Sequence, residues 1–268
     1  MCLLVLAWRC HPRYRVVAAA NRDEFHARAA APMGPWSDTP GVTGGRDLQA
    51  GGAWFAVDSK QRFGVVTNFR EFGRRRRNAP SRGALIPTYL TGNSRPDASL
   101  RMLETDAPGY AGFNLLLADR DSLWYASNRA DVFARELPPG IYGLSNDFLD
   151  TPWPKLVRVR ERFTALLSSP ASDNRDSLAA RLLDLLADRE TATTDSPPAG
   201  DLSPEWARKL SAPFVLDPEY GTRCSTILTV DDEQLAFIER RFDADGRVSG
   251  QSTERHSLAE SELRLNGP

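Results

Sequence analysis

The sequence predicts one α+β domain that is rich in antiparallel strands. Short apolar runs follow one another in pairs joined by polar turns, a pattern typical of β-hairpins. Two longer stretches carry leucines at helical spacing, which indicates helices with one apolar face. No change of composition divides the 268 residues, so we expect a single domain over 1–268 with helices covering the sheet faces.

The predicted strands begin at the N-terminus. Residues 2–8 form an apolar run, His11 to Arg13 suit a turn, and residues 14–20 form the second strand of a hairpin. A loop rich in Pro, Gly and Ala is expected up to about Gly52. The further predicted strands span 53–57, 63–68, 112–118, 123–127, 141–144, 224–230 and 235–242.

Three helices are predicted between these strands. A short one covers 84–90, and the clearest begins after Thr151, with Pro152 suited to its first position. Apolar residues recur on one face of that helix from Leu156 to Leu167, and a leucine-rich stretch over 178–186 marks another helix. The polar, Pro-rich stretch 190–201 is expected to be a surface loop.

Charge and cysteine content exclude several classes of protein. The chain has 34 Lys+Arg against 35 Asp+Glu, which argues against a dedicated nucleic-acid binder. Three cysteines are too few for a disulfide scaffold and fit a reducing cytoplasm. The apolar run from Leu3 to Trp8 is too short for a membrane span and lacks the features of a signal peptide.

Common catalytic motifs are absent from the sequence. It contains no P-loop, no GxGxxG after a strand, no HExxH and no GxSxG. The three histidines, His11, His26 and His256, are scattered, so neither a metal site nor a Ser–His–Asp site is expected. A Cys–His pair brought together by folding stays open.

Cys2 is the residue most indicative of chemistry. Removal of Met1 would leave a thiol and a free α-amine on one residue, and both groups titrate near neutral pH. The amine could then take the proton of the thiol without a histidine. The alternative is that Cys2 is an ordinary small apolar residue at the start of a strand.

Polar residues at the ends of other predicted strands could complete such a site. Asp23 could orient the amine, Asn68 and Asn146 could donate hydrogen bonds to an oxyanion, and Arg223 could tune the thiolate. Each of them is also a common turn residue or a solvated charge. The segment 21–24 could equally form a turn or a helix cap, with Arg22 and Glu24 as a structural ion pair.

Five motifs follow one another along the chain: Met1-Cys2-Leu3-Leu4, Asn21-Arg22-Asp23-Glu24, Gly51-Gly52-Ala53-Trp54, Thr67-Asn68-Phe69-Arg70 and Ser81-Arg82-Gly83. In this order they resemble the NRDE family, that of transport and Golgi organization protein 2. The resemblance implies a four-layer αββα sandwich similar to N-terminal nucleophile hydrolases of the penicillin V acylase and bile salt hydrolase group. It also implies a nucleophile, an orienting acid, two oxyanion residues and a late arginine at Cys2, Asp23, Asn68, Asn146 and Arg223.

The sequence departs from those acylases at one position. They place an arginine three residues before the aspartate, where this chain has Ala20, and Arg22 adjoins Asp23 instead. Neighbours on an extended strand point to opposite faces, so Arg22 cannot simply replace the missing arginine.

Three functions therefore stay open. The first is a cysteine hydrolase acting on a small-molecule amide or thioester, with no cofactor required. The second is a carrier of haem or acyl-coenzyme A, as the resemblance suggests, with Asn21, Arg22, Glu24, Arg70 and Arg82 as candidate binding residues. The basic run 74–77 could extend that site or form a solvated loop, and His26, His11 or Cys2 could ligate haem. The third is an interaction module in which Trp8, Trp36, Trp54 and Phe69 form an exposed patch. Core packing is the alternative, and it is the preferred interpretation for Trp8 and Trp54 because they lie in apolar strand runs.

Overall fold

The computed structural model describes residues 2–71, 79–192 and 202–257. Numbered in chain order, its strands are β1 Cys2–Trp8, β2 Val16–Phe25, β3 Ala30–Pro35, β4 Val42–Asp47, β5 Phe55–Asp58, β6 Phe63–Asn68, β7 Phe113–Ala118, β8 Leu123–Ser127, β9 Ala134–Glu136, β10 Gly140–Leu144, β11 Tyr220–Val230, β12 Gln234–Phe242 and β13 Val248–Ser257. The helices are α1 Leu85–Thr91, α2 Pro96–Glu104, α3 Pro154–Leu167, α4 Arg175–Leu186 and α5 Pro204–Lys209.

The strands form two antiparallel sheets. The first sheet has the order β10-β1-β2-β11-β12-β13, so strands from the two ends of the chain lie side by side. The second sheet follows chain order from β3 to β9, as expected for a series of hairpins. All pairings in both sheets are antiparallel, which confirms the strand type predicted from the sequence.

Three apolar layers hold four layers of secondary structure together. Trp8, Phe55 and Phe237 belong to the core between the two sheets. Val159 and Phe163 of α3 pack with α4 on the outer face of the first sheet, and α1 and α2 cover the outer face of the second. The predicted αββα sandwich is therefore confirmed, because each sheet buries one face on the other and one on helices.

Several predicted element boundaries are wrong. The clearest helix begins at Pro154 rather than Pro152, since a residue before proline is disfavoured in the helical region and Trp153 is extended. Residues 21–24 lie inside β2, not in a turn, because β1 and β11 pair with that strand on both sides.

Four strands and two helices were not predicted. The expected loop before Gly52 contains β3 and β4, whose glycines and prolines weaken a strand signal. The strand β13 is largely polar because it lies at an edge of its sheet. Elements β9, α2 and α5 are short or only partly buried, so their apolar patterns are weak.

Two expectations concern residues outside the described ranges. The basic run 74–77 lies wholly outside them, and the predicted surface loop 190–201 lies mostly outside them. In the part of the chain that the structure describes, the helices are too short and too polar to cross a membrane.

Candidate active site

The register of β1 against β10 places Cys2 beside Asn146. Leu4 pairs with Leu144, and continuing this antiparallel register by two residues brings position 146 opposite position 2. The main-chain nitrogen of Cys2 donates a hydrogen bond to Oδ1 of Asn146 at 3.0 Å. Two residues that are far apart in sequence therefore meet at the end of the first sheet.

Asn146 connects three segments around Cys2. Its Nδ2 donates to the carbonyl of Asn68 at 2.8 Å, and its own carbonyl accepts from the main-chain N–H of Arg70. Its φ of 56° lies in the left-handed region, which asparagine tolerates better than most residues. Asn146 therefore orients the Cys2 nitrogen, and because Nδ2 carries a second N–H beyond the one given to Asn68, its predicted role as a donor to an oxyanion stays a prediction.

Asp23 lies on the helix-facing side of β2 and is 3% exposed. Its Oδ1 accepts a hydrogen bond from the hydroxyl of Thr222 at 2.7 Å, across the pairing of β2 with β11. Burial raises the pKa of the Asp23 carboxyl, whereas the nearby Lys155 ammonium and the Thr222 hydrogen bond lower it. Asp23 also lines the cleft that contains Cys2.

Arg22 pairs with Cys2 across β1 and β2, so both side chains lie on the face between the sheets. Its guanidinium stacks on the Trp54 ring at 4.4 Å and is almost fully buried. Its Nη1 has no hydrogen-bond partner within the described residues. Arg22 therefore supplies a fixed positive charge next to Cys2, and it does not form the expected ion pair with Glu24, which lies 3.9 Å from Arg28 instead.

A cleft of about 330 Å³ opens in front of Cys2. One wall depends on two glycines: a Cβ on Gly52 would lie 2.3 Å from the carbonyl carbon of Gly83. This close approach carries Arg82 to the cleft, where its Nη1 donates to the carbonyl of Gly112 at 2.9 Å. Burial lowers the pKa of Arg82, and a negative charge on Cys2 raises it, so ionisation of the Cys2 thiol and the charge of Arg82 favour each other.

A second compartment of about 460 Å³ adjoins the first. The two share Glu24, Arg28, Asn68, Arg82 and Ala111 at their border. Aromatic and aliphatic side chains line the second compartment: Phe25, Phe69, Leu202, Leu210 and Tyr220. The cleft next to Cys2 is therefore lined by charged side chains of both signs, and it becomes more apolar farther away.

The exposed Asn68 and the partly buried Arg70 are both brought to the site. Asn68 lines both compartments, where its amide can reach a bound ligand. Arg70 lines the second compartment, and its guanidinium lies 5.1 Å from the centre of the Trp153 ring.

Two predicted site residues have other uses in the structure. Nη1 of Arg223 donates to the carbonyls of Phe25, His26 and Arg28, so the guanidinium holds the turn after β2 instead of tuning the thiolate. Asn21 is buried under the helices, where Nδ2 donates to the carbonyls of Leu186 and Pro213. The side chain of Asn21 thus fastens β2 to α4 and does not face the ligand cleft.

Burial raises the pKa of the Cys2 thiol above its ordinary value. The Asp23 carboxylate raises it further, while Arg22 lowers it. A thiol in this environment is protonated at neutral pH, so it needs a nearby base before it can act as a nucleophile.

Sequence reasoning missed Lys155, which enters the site from the first turn of α3. The side chain is 4% exposed, and its charge interacts with Asp23, Arg70 and Cys2. One signal was present, because Lys155, Val159 and Phe163 follow one another at four-residue spacing on the buried face of the helix. A lysine at an apolar position of that pattern indicates a buried charge.

The histidines do not form a metal site. Nε2 of His26 lies 3.1 Å from the Asp217 carbonyl, and Nδ1 of His11 accepts two main-chain hydrogen bonds at the turn between β1 and β2. No group of three or more His, Cys, Asp or Glu side chains that could hold a metal occurs within 2–71, 79–192 and 202–257.

Comparison with known proteins decides the family. The family model for Transport and Golgi organisation 2 matches residues 1–244. The chain belongs to this family. It is 34% identical over 257 residues to the Transport and Golgi organization protein 2 homolog of Bos taurus, covering 90% of this chain and 92% of that protein. The Drosophila melanogaster protein of that name is 28% identical over 263 residues, covering 89% and 91%.

Among solved structures, a mutant of the conjugated bile acid hydrolase from Clostridium perfringens is similar, with a TM-score of 0.49 and 6% identity over 97% of this chain and 93% of that one. The N-acylethanolamine-hydrolyzing acid amidase ortholog of Caenorhabditis elegans has a TM-score of 0.40 and 12% identity over 84% and 92%.

Proposed function

We propose that this member of the Transport and Golgi organisation 2 family is a cysteine N-terminal nucleophile hydrolase that acts on an amide or thioester. The observation that carries the proposal is the hydrogen bond from the Cys2 nitrogen to Asn146, at a cleft where the buried Arg22 guanidinium lies next to Cys2. Removal of Met1 would make this nitrogen the α-amine, already oriented next to its own thiol.

The reaction begins with transfer of the thiol proton to the neutral α-amine. The Cys2 sulfur attacks the acyl carbonyl, and a carbon–sulfur bond forms as the carbonyl oxygen becomes an oxyanion. Collapse of this intermediate breaks the bond to the leaving amine or thiol, which takes the proton from the ammonium. Water then attacks the acyl-enzyme while the amine accepts its proton, and release of the acid restores the thiol.

The side chains around Cys2 suit these steps. The Asn68 amide faces the cleft and can donate to the oxyanion. Arg22 and Arg82 add positive charge where the thiolate and then the oxyanion develop. Asp23 balances these charges from the helix side of β2 and favours the ammonium formed after the first proton transfer.

The cleft also supports a second candidate function, the binding of haem or acyl-coenzyme A without turnover. Its arginines could meet propionates or phosphates, and the aromatic side chains of the second compartment could contact an apolar body. For haem, Cys2 is the best placed axial ligand of the three considered, since His26 Nε2 is engaged by Asp217 and His11 lies at the far end of β1.

The test is acyl labelling of the purified chain with three donors: an acyl-coenzyme A, penicillin V and an N-acyl amino acid. Peptide mass mapping should find a transient acyl group on Cys2 that is absent in Cys2→Ala. The matched control is Cys10→Ala, an exposed cysteine that should not alter labelling. An acyl group that persists in Cys2→Ala would contradict the hydrolase. A processed, unlabelled chain with a saturable Soret shift or acyl-coenzyme A binding would favour the carrier.

A further inference from the structure

Lys155 is a buried cation that the reaction described above does not use. Its Nζ is fully enclosed and has no hydrogen-bond partner among the residues that the structure describes. An unpaired buried ammonium is costly, and lysine normally keeps its charged end in water. An ammonium on the buried face of α3 therefore needs a negative charge nearby to compensate it.

The fold brings that charge from β2. Side chains alternate along a strand, so Asp23 points to the same side as Asn21, whose amide contacts the helix layer. Leu156, the next residue of α3, packs directly on Gly143 of β10, because a Cβ on Gly143 would lie only 2.8 Å from its Cδ1. The first turn of α3 therefore contacts the edge strand of the first sheet. Lys155 and Asp23 thus enter one buried layer from opposite elements.

The titratable and charged groups that act on Lys155 come from three elements. Asp23 of β2 and Cys2 of β1 favour its ammonium form, and Arg70, which follows β6, opposes it. Burial is the largest effect and lowers the pKa of Lys155, while Asp23 raises it.

We propose that Lys155 is a positioning residue of the Cys2 site: its buried ammonium balances Asp23 and favours the deprotonated thiol and amine of Cys2. A positive charge stabilises a neighbouring thiolate and destabilises a neighbouring ammonium, so both effects have the same direction. Lys155 thereby offsets the effect of the Asp23 carboxylate, which stabilises the ammonium form of the α-amine. The role of the amine rests on the proposed function, whereas the electrostatic interaction of Lys155 with Asp23 does not.

The interaction of Lys155 with Asp23 is tested first by lysine NMR on the intact chain. The sequence has only Lys60, Lys155 and Lys209, so isotope-labelled lysine gives three side-chain signals, and Lys155→Arg identifies one of them. We expect the Lys155 signal of the unsubstituted chain to be that of an ammonium at neutral pH, and Asp23→Asn to move its titration to lower pH. A neutral Lys155, or a titration unchanged by Asp23→Asn, would overturn the proposal.

The effect on Cys2 is tested by the pH dependence of its alkylation with iodoacetamide, followed on the Cys2 peptide. Lys155→Met should shift the profile to higher pH and slow alkylation at neutral pH by about tenfold, the change that one pKa unit produces. Lys155→Arg should restore most of the rate. The matched control is Lys60→Met, an exposed lysine in the turn between β5 and β6. A Lys155→Met profile like that of the control would overturn the proposal.

These measurements also separate the two proposals. The mass of the same Cys2 peptide shows whether Met1 has been removed. Retention of Met1 would end the hydrolase proposal and leave the Lys155 titration interpretable. A processed chain with a neutral Lys155 would end the positioning role alone.

Discussion

Asn146 holds the end of the first sheet together, so replacing it should destabilise the fold by a predictable amount. Asn146→Ala removes the acceptor of the Cys2 N–H and the donor to the Asn68 carbonyl. It also places alanine at a φ of 56°, where the Cβ meets the following carbonyl oxygen. The side chain is 2% exposed, so water cannot readily replace the lost partners.

The magnitude follows from these three losses. Each lost hydrogen bond costs about 1 kcal/mol in net stability. The left-handed conformation adds about 1 kcal/mol for alanine. The expected loss for Asn146→Ala is therefore about 3 kcal/mol in the free energy of unfolding. Asn146→Gly loses the same hydrogen bonds without the left-handed strain, so it should be the more stable of the two variants.

The assay is equilibrium urea unfolding followed by tryptophan fluorescence, with the free energy taken by linear extrapolation. Asn68→Ala is the matched control, because its side chain is exposed and its carbonyl, which accepts from Asn146, is unchanged. It should lie within about 0.5 kcal/mol of the unsubstituted chain. An Asn146→Ala variant as stable as this control would refute the account of how Cys2 is held.

Two further predictions concern the cleft wall and acid stability. Gly52→Ala should lose about 1–3 kcal/mol in urea unfolding because its Cβ would overlap Gly83, whereas Gly34→Ala, which has nothing within 4 Å, should change little; equal effects would contradict the close approach. Burial raises the pKa of the Asp231 carboxyl, but hydrogen bonds from Arg175 and Arg13 leave it below its usual range. Its contribution to stability is therefore present above the ordinary carboxyl pKa of about 3.9 and is lost as pH falls through the lower folded value. Asp231→Asn should flatten the acid side of the stability–pH curve, and an unchanged slope there would count against this pairing.

Strong local patterns predicted much of the fold. The observed bounds of β1, β6 and β8 are those predicted from their apolar runs. The prediction succeeded there because nearly all side chains of these strands are buried, which requires apolar residues. The weaker elements escaped prediction because their pattern is set by position in the sheet. The edge strand β13 has few core contacts to require apolar residues, and β3 contains two prolines.

The site could be predicted only where a residue follows a strand end. Asn146 and Asn68 come together with Cys2 because the ends of β10 in the first sheet and of β6 in the second meet beside the start of β1, and the sequence predicted both asparagines at strand ends. The role of a side chain at such a position depends on its partners. The Arg223 guanidinium donates to three carbonyls, and the Asn21 amide donates to the Leu186 carbonyl of α4. A sequence motif does not reveal either set of partners. Lys155 joins the site through α3, whose packing on the sheet is a tertiary property.

The most direct test of the central claim is a time course of the N-terminal peptide during incubation with an acyl donor, read by mass spectrometry. The account predicts a peptide that begins at Cys2, gains the acyl group and loses it again as the free acid accumulates. A peptide that retains Met1, or one that begins at Cys2 and never carries the acyl group while the acid forms, would contradict it.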